Sequence, residues 1–457
     1  MAGAVACLLA ATHVNGHSAA RKCQPGGAVM KRQVPTRRKV VAVVVAGILA
    51  AGSPAALVTS AAHAADPSTS SNAVIVWERN AQTAIWDVAG QQPQVQARSF
   101  AMVHGAVYDA VNAIAGRPYQ PYLIAPRSDG RESVNAAVGT AAFQVLSSLF
   151  PAQQARLQAQ YDEWLAAIPD GRAKQGGISM GSQTAAAMIS ARRNDGAFGN
   201  AAWPVGTEPG QWRPTPPTNA NDGAWVAGLK PFLLPSASMF RSSGPPALTS
   251  AQYARDFNEV KTIGAVNSPI RTADQTQAAI WWHDRHLGEW EIKRQLATRQ
   301  RLTTLQTARM FAMVDLAEAD ATTACYNEKA AWMFWRPVTA VHLADTDGNA
   351  ATDADPDWMP LLVTPPHPDF TSGHTCFTAA SMLALRHFFG RDDIPFHAYS
   401  EASGTTRYFG HFSQAIAEVI EARIWGGIHT RTADVEGAKI GAKVTAYMIN
   451  NFFRPRR

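Results

Sequence analysis

Apolar residues recur at intervals of three to four along most of the chain, and alanine is frequent among them. This spacing is typical of amphipathic helices, whose apolar face repeats with the helical period. Sustained alternation of β-branched and polar residues, which would indicate strands, is scarce. The pattern predicts helices at 78–115, 133–166, 172–193, 249–264, 273–298, 302–335, 375–389, 412–424 and 434–452. We therefore expect an all-α fold.

An internal repeat indicates that this fold has two related halves. Residues 97–113 and 308–324 share the pattern Ala-Arg-x-Phe-Ala-Met-Val-x2-Ala-x2-Asp-Ala-x2-Ala, which is more than chance easily gives over 17 positions. Pro, Gly and Asn are concentrated at 194–248 and predict a long irregular connection. We predict two related helical bundles, with residues 65–250 forming the N-terminal half and its connection and residues 251–457 forming the C-terminal bundle.

Residues 1–64 are predicted to be an N-terminal extension and export signal. The basic stretch Arg37-Arg38-Lys39 precedes an apolar run at 40–51, and Ala62-His63-Ala64 provides small residues for cleavage. The apolar run is too short to span a bilayer comfortably. We expect a secreted or periplasmic protein without an integral membrane span, with the arginine pair compatible with twin-arginine export. Translation could start at Met1 or Met30, and Met30 leaves the more compact basic region.

The export signal also accounts for the basic charge of the chain. The whole sequence has a net charge of +6, which would suit a nucleic-acid partner. Residues 1–64 hold seven of its 41 basic residues and no acidic residue, so the remainder has 34 basic against 35 acidic residues and a net charge of −1. A nearly neutral body argues against nucleic-acid binding by bulk charge.

Candidate chemistry is concentrated in the last third of the chain. Lys329 and Arg336 are seven residues apart, which on one helix is about two turns and roughly 10 Å of rise, so both cations would share a face. Farther along, Ser372-Gly373-His374 precedes a helix-forming run. With Thr371 or Ser372 as the N-cap, the backbone N–H groups of the first turn would form an anion site that Gly373 leaves open to a ligand.

A third motif places Arg423 and His429 on either side of Gly426-Gly427. In an unbroken helix these two side chains would point about 120° apart, so the glycine pair is needed to return His429 to the same side. A single Lys, Arg or His is usually a surface or satisfied core group. Converging buried cations are costly without a counter-charge, and together the three motifs predict a pocket for a tetrahedral oxyanion in the C-terminal bundle.

The ordered pattern Lys-x6-Arg-Pro, Ser-Gly-His and Arg-x5-His resembles the signature shared by vanadium-dependent haloperoxidases and the type 2 phosphatidic-acid-phosphatase superfamily. Thr371 stands where the motif commonly has Pro, and Ala422 where it commonly has Ser, so the fine geometry of the site is expected to differ. The segment at 102–114 is similar to the N-terminal half of these haloperoxidases. The resemblance covers most of residues 75–457 and implies the two-bundle layout of that family.

The resemblance also implies a cofactor, partners and residue roles. The cofactor would be vanadate, and the partners would be hydrogen peroxide, a halide and a small organic acceptor, with hypohalous acid as the product. His374 would be the acid–base that takes a proton from peroxide, and His429 would bond the vanadium. The remaining vanadate-binding groups would be the cations Lys329, Arg336 and Arg423, which neutralise its charge, and Ser372 and the Gly373 N–H, which donate hydrogen bonds.

Two other functions use the same motifs. An acid phosphatase would form a phosphohistidine at His429 and protonate the leaving group with His374. A non-catalytic oxyanion-binding protein is a third possibility, although two imidazoles have no evident purpose there. The duplicated chain, the phrases at 335–337 and 424–429 and the lack of hydrophobic spans expected of lipid phosphatases favour the haloperoxidase.

Two further expectations concern the surroundings of this site. His367 stands where bromoperoxidases of the family carry histidine, and Tyr326 where a tryptophan shapes the fungal chloride site, so we expect bromide and iodide to be oxidised more readily than chloride. Alternatively, His367 only caps the turn at Pro368-Asp369.

Cys325 and Cys376 flank the motifs and could form a disulfide in an exported protein, or pack as buried thiols. The sequence does not indicate an oligomeric state.

Overall fold

The computed structural model describes residues 72–284 and 289–456. The predicted export signal lies outside the described residues, so export stays a prediction. The described part is mostly helical, with one pair of short strands, which confirms the all-α prediction. Within it, no single helix is long and apolar enough to cross a bilayer, although the segments 134–149 and 151–166, which meet at a bend of 120°, meet the criteria of length and composition as a pair.

The helices follow the predicted order. In the N-terminal half they are α1 (Ala73–Gln82), α2 (Pro93–Ile114), α3 (Val134–Leu149), α4 (Gln154–Ala166) and α5 (Arg172–Arg192). The C-terminal part has α6 (Ala251–Ile263), α7 (Ala273–Trp281), α8 (Glu289–Arg299), α9 (Thr304–Trp332), α10 (Pro337–His342), α11 (Gly373–Phe389), α12 (Phe412–Trp425) and α13 (Arg431–Asn451). Strands β1 (Phe396–Ser400) and β2 (Thr405–Phe409) form an antiparallel hairpin between α11 and α12.

Several helices predicted as continuous are broken in the structure. The run at 78–115 is interrupted at Gly90, which has a φ of +55°, and α2 begins at Pro93. The run at 133–166 breaks before Pro151. Proline lacks the N–H that would continue a helix but fits its first turn, so each proline marks a new start. The hairpin was not predicted, because strands this short leave little alternation in the sequence.

The sequence repeat has a structural counterpart. Asp109 on α2 accepts hydrogen bonds from the backbone N–H groups of residues 122–124, and its equivalent on α9, Asp320, accepts them from residues 232–234. Burial raises the pKa of both carboxyl groups to about 6. The two long helices, α2 and α9, therefore each hold a loop through an aspartate at the equivalent position of the repeat.

Each half also contains an equivalent close contact between two of its own helices. A Cβ atom at Gly181 on α5 would lie 2.5 Å from the Ala137 carbonyl oxygen on α3, and one at Gly441 on α13 would lie 2.2 Å from the Cys376 carbonyl oxygen on α11. Both α3 and α11 begin after a serine N-cap residue. The equivalent contacts agree with two related bundles, whereas their exact boundaries stay a prediction.

Equivalent residues of the repeat meet where α2 packs against α9. His104 hydrogen-bonds Asp315, its counterpart 211 residues later. Lys293 also binds Asp315, and its Nζ lies 5.3 and 5.2 Å from the ring centroids of Phe100 and Phe311, which are again equivalent. All of these residues are buried. Helix α9, which contains Lys329, is thus joined to α2 by a buried cluster of charged and polar side chains and not by apolar packing alone.

The close contact between α11 and α13 predicts a specific loss of stability. Gly441→Ala places a methyl group against the backbone of α11, so we expect it to lower the free energy of unfolding by about 1–3 kcal/mol. Gly228→Ala is the control, because a Cβ there meets nothing within 4 Å. Chemical denaturation of both variants measures the difference. Equal stability of the two variants would contradict the close approach of these helices.

Candidate functional site

Lys329 and Arg336 do not lie on one continuous helix. Helix α9 ends at Trp332, Met333 adopts a left-handed conformation with a φ of 47°, and Arg336 is the N-cap residue of α10. The prediction that the two cations share a helix face is therefore wrong. The aromatic run at 332–335 has the composition of a buried helix, and its apolar pattern does not mark the left-handed residue that ends α9.

Both cations instead hold the loop that leads into α11. Lys329 Nζ donates hydrogen bonds to the carbonyl oxygens of Pro368 and Asp369, at 2.7 and 3.1 Å. Arg336 Nε donates to the carbonyl oxygen of His367 at 2.7 Å, and its Nη1 donates to that of Ile428 at 2.6 Å. Both side chains are fully buried. The loop 367–372 thus has a fixed position relative to the ends of α9 and α10.

Ser372 is the N-cap residue of α11, and Gly373 is the first residue of that helix. The Ser372 side chain does not cap the helix, and its buried Oγ has no hydrogen-bond partner among the described residues. His374 follows in the first turn. Burial lowers its pKa, and Arg423, Arg336 and Lys329 lie close enough to lower it further, so the start of α11 is near the cations. The partial positive charge of a helix N-terminus also favours an anion.

The glycine pair after α12 returns the chain toward the cations. Arg423 lies in the last turn of α12, and Gly427 has a φ of 73°. A Cβ at Gly427 would lie 2.4 Å from the Gly264 carbonyl oxygen, so only glycine fits there without a shift. After this turn, His429 Nε2 lies 3.1 Å from Arg336 Nη1.

Asp369 is the residue that the sequence reasoning missed. Its Oδ1 lies 2.6 Å from His429 Nδ1 and 3.8 Å from Arg336 Nη1, and its Oδ2 accepts a hydrogen bond from Thr430 Oγ1 at 2.8 Å. Asp434, beside Ser372, was missed as well. The available signal was an acidic residue within a motif otherwise rich in histidine, between His367 and Ser372.

Burial controls the protonation of this cationic cluster, by which we mean Lys329, Arg336, Arg423, His374 and His429. Burial lowers the pKa of Lys329 to about 7, of Arg423 to about 9 and of Arg336 to about 10. Burial and the neighbouring cations hold the pKa of both imidazoles well below its usual value, so both are neutral near pH 7. Burial raises the pKa of Asp369 to about 6. A bound anion would offset the repulsion among the cations.

Unpaired donors in the cluster fit an oxyanion. Arg423 Nη1 donates to the Trp282 carbonyl oxygen at 3.2 Å, but its buried Nε and Nη2 have no hydrogen-bond partner among the described residues. His374 Nε2 is also buried without a partner in that part of the chain. Lys329 uses two of the three donors of an ammonium group. Tetrahedral oxyanions such as vanadate and phosphate accept hydrogen bonds in several directions, so these residues fit the implied cofactor.

The candidate halide-binding residues lie against Arg336 and the long connection. The ring centroids of Tyr326 and His367 are 5.3 Å apart, and His367 Nδ1 lies 3.0 Å from Arg336 Nη2. From the connection, Asp222 donates its backbone N–H to the Pro366 carbonyl oxygen. His367 Nδ1 also lies 3.3 Å from the Pro368 carbonyl oxygen, so a local role at the turn stays open beside a role in halide choice.

Cys325 and Cys376 are free, buried thiols, so the disulfide is not formed. The Cys325 thiol donates to the Thr371 carbonyl oxygen at 3.3 Å, and the Cys376 thiol to the Ala321 carbonyl oxygen at 3.2 Å. The structure therefore has the second of the two predicted arrangements, in which both thiols are buried and packed between α9 and α11.

Comparisons with known proteins agree with the sequence motifs. Residues 309–456 match the family model described as the VCPO second helical-bundle domain. The chain is 23% identical over 392 residues to vanadium chloroperoxidase from Curvularia inaequalis, an alignment that covers 66% of this chain and 63% of that protein. The chain thus spans less than two thirds of the length of this curated relative.

Solved structures show the same fold. The crystal structure of the first bacterial vanadium-dependent iodoperoxidase is 24% identical, with a TM-score of 0.71 over 84% of this chain and 97% of that chain. The apo form of a bacterial vanadium-dependent chloroperoxidase is 16% identical, with a TM-score of 0.63 over 79% and 95% of the two chains. The resemblance seen in the motifs is confirmed, and the chain has the helical-bundle fold of the vanadium-dependent haloperoxidases.

Proposed function

We propose that this protein is an exported, vanadate-dependent haloperoxidase. In this reaction hydrogen peroxide oxidises bromide or iodide, and chloride less readily, to hypohalous acid, which halogenates a small organic acceptor. The observation that carries the proposal is the pair of unpaired Arg423 donors, Nε and Nη2, beside the unpaired His374 Nε2 in a cluster of buried cations. The names of the three similar proteins described above, each a vanadium-dependent haloperoxidase, support the choice of oxyanion and of reaction.

The residues that would hold vanadate are those that converge on the first turn of α11. They are the cations Lys329, Arg336 and Arg423, the hydrogen-bond donors Ser372 and Gly373, and the imidazole of His429. When bound, vanadate supplies a Lewis-acidic centre that activates peroxide toward the halide without changing its own oxidation state. The protein then needs to balance charge and move protons, but it needs no electron-transfer route.

His429 is prepared to act as a ligand through one nitrogen. Its neighbours favour one tautomer, because Nδ1 lies 2.6 Å from the Asp369 carboxylate and Nε2 lies 3.1 Å from Arg336 Nη1. A proton on Nδ1, facing the carboxylate, would leave the lone pair on Nε2. Thr430 holds the second oxygen of Asp369 and so keeps the carboxylate in place.

His374 is placed to accept a proton from peroxide. Burial lowers its pKa, and the positive charge of Arg423 and the neighbouring His283 lower it further, so the imidazole is neutral before the reaction. Its Nε2 has no hydrogen-bond partner among the described residues and can accept a proton. A neutral imidazole within hydrogen-bond reach of the peroxide would take its proton and hold it at Nε2.

The acid phosphatase remains the second candidate, and the Asp369–His429 pair is the observation that favours it. A carboxylate that orients Nδ1–H also makes Nε2 a better nucleophile toward phosphorus. The two functions share the site and differ in the oxyanion and the second substrate. An assay with both substrates therefore separates them.

The proposal predicts that vanadate-free protein gains peroxide-dependent bromide oxidation when orthovanadate is added. Phosphate should inhibit this gain competitively, because the same cations hold both tetrahedral oxyanions. Bromination of a phenol dye measures the activity, and hydrolysis of a phosphate monoester is assayed in parallel. Vanadate-independent bromination would contradict the proposed cofactor. Phosphate-ester hydrolysis without any halide oxidation would favour the acid phosphatase instead.

The two histidines should fail in different ways. We expect His374→Ala to retain vanadate affinity within a few-fold while losing bromide oxidation, and His429→Ala to bind vanadate far more weakly because the direct bond is lost. The isosteric Asp369→Asn removes the charge next to Nδ1 and should weaken vanadate binding by roughly 10–100-fold, as is typical of groups that orient a metal ligand. Equilibrium dialysis with vanadate measures all three. Equal affinities of the two histidine variants would contradict these roles.

We expect the His367 imidazole to influence which halide the protein oxidises. His367→Phe removes a polar ring that contacts Arg336 and Tyr326, and we expect the ratio of chloride to bromide oxidation rates to rise. Steady-state rates with each halide, for the variant and the wild type, measure this ratio. An unchanged ratio would leave His367 with only its local role at the Pro368 turn.

A further inference from the structure

Tyr326 places an oxidisable phenol ring at the edge of the cationic cluster. Its ring centroid lies 6.0 Å from Lys329 Nζ and 5.3 Å from the His367 ring centroid. On another side, a Cβ built on Gly373 would lie 3.8 Å from Tyr326 Cε2. Tyr326 as a whole is only 5% exposed. The phenol ring therefore lies near Lys329, His367 and Gly373 of the candidate site while being shielded from bulk solvent.

We propose that Tyr326 is a modification site, at which the hypohalous acid formed beside it halogenates the ring at Cε2. This inference rests on the proposed haloperoxidase function. In the balanced step, Cε2 attacks the bromine of hypobromous acid and the bromine–oxygen bond breaks. The ring then loses its Cε2 proton, which combines with the released hydroxide, so one C–Br bond and one water are formed.

The geometry distinguishes the two ortho carbons of the ring. Cε2 lies toward Gly373, the residue at the start of α11 that is proposed to bind the oxyanion. Cε1 lies toward Gly223, where a built Cβ would be 3.2 Å away, and the connection around Gly223 belongs to a buried cluster with Trp203. A single halogenation at Cε2 is therefore expected, because the connection covers the other ortho carbon.

Proximity has to overcome low intrinsic reactivity for this reaction to occur. Burial raises the pKa of Tyr326 above its usual value, so the ring is a neutral phenol, which is less reactive than a phenolate. Against a reagent dissolved in the medium, the exposed Tyr399 and Tyr408, at 49% and 72% exposure, should react first. A reagent generated a few ångströms from Tyr326 has a high effective concentration there, which reverses this order.

The experiment uses vanadate-loaded protein with bromide, limiting peroxide and an excess of free methionine, which destroys hypobromous acid that escapes into solution. Peptide mass spectrometry should find one bromine on the peptide that contains Tyr326 and none on those that contain Tyr399 or Tyr408. In a second arm, vanadate-free protein is treated with hypobromous acid, and the exposed tyrosines should be brominated before Tyr326. His374→Ala loaded with vanadate is the control and should leave Tyr326 unmodified.

The possible failures are distinguishable. A brominated dye product together with an unmodified Tyr326 would overturn this inference and leave the haloperoxidase function intact. Loss of the Tyr326 modification on addition of methionine would show that free hypobromous acid is the reagent, which also overturns it. Absence of both the dye product and the modification would reject the proposed function itself.

Discussion

The burial of three cations within one helical bundle is the constraint on which the site depends. Lys329, Arg336 and Arg423 are all inaccessible to solvent, and moving each charge out of water costs several kcal/mol. The protein offsets part of this cost with the carbonyl oxygens at 367–369 and with Asp369. The unpaired nitrogens of Arg423 remain. A tetrahedral oxyanion would neutralise the remaining positive charge and accept hydrogen bonds from these nitrogens. Binding of the proposed cofactor should therefore stabilise the fold.

The duplicated scaffold explains how such a site is positioned, but only one half has the required chemistry. Each half has a long central helix, an aspartate that anchors a loop and a helix that follows a serine at the N-cap position and packs closely against a glycine. Five residues beyond the repeat, where the C-terminal half has Lys329, the N-terminal half has Pro118. The serine at the N-cap position equivalent to Ser372 is Ser133, which follows Glu132. The scaffold is therefore shared, whereas the cations belong to the C-terminal bundle.

The sequence predicted what depends on periodicity and on motif order. The helices around the site, the serine at the start of α11 and the need for a glycine turn before His429 follow from local spacing. The path between Lys329 and Arg336 could not be predicted, because a single left-handed residue at Met333 ends α9 within an apolar run. Asp369 was missed because its role depends on His429, 60 residues later, and no local pattern encodes that contact.

Ligand-dependent stability tests the link between the buried cations and an oxyanion most directly. Thermal unfolding of vanadate-free protein should be followed while orthovanadate is added, because a ligand that binds only the native state raises the midpoint as its concentration increases. We predict such a rise for the wild type and a much smaller one for Arg423→Met, which keeps an unbranched side chain but removes the guanidinium charge and its donors. A midpoint independent of vanadate in the wild type would contradict the account.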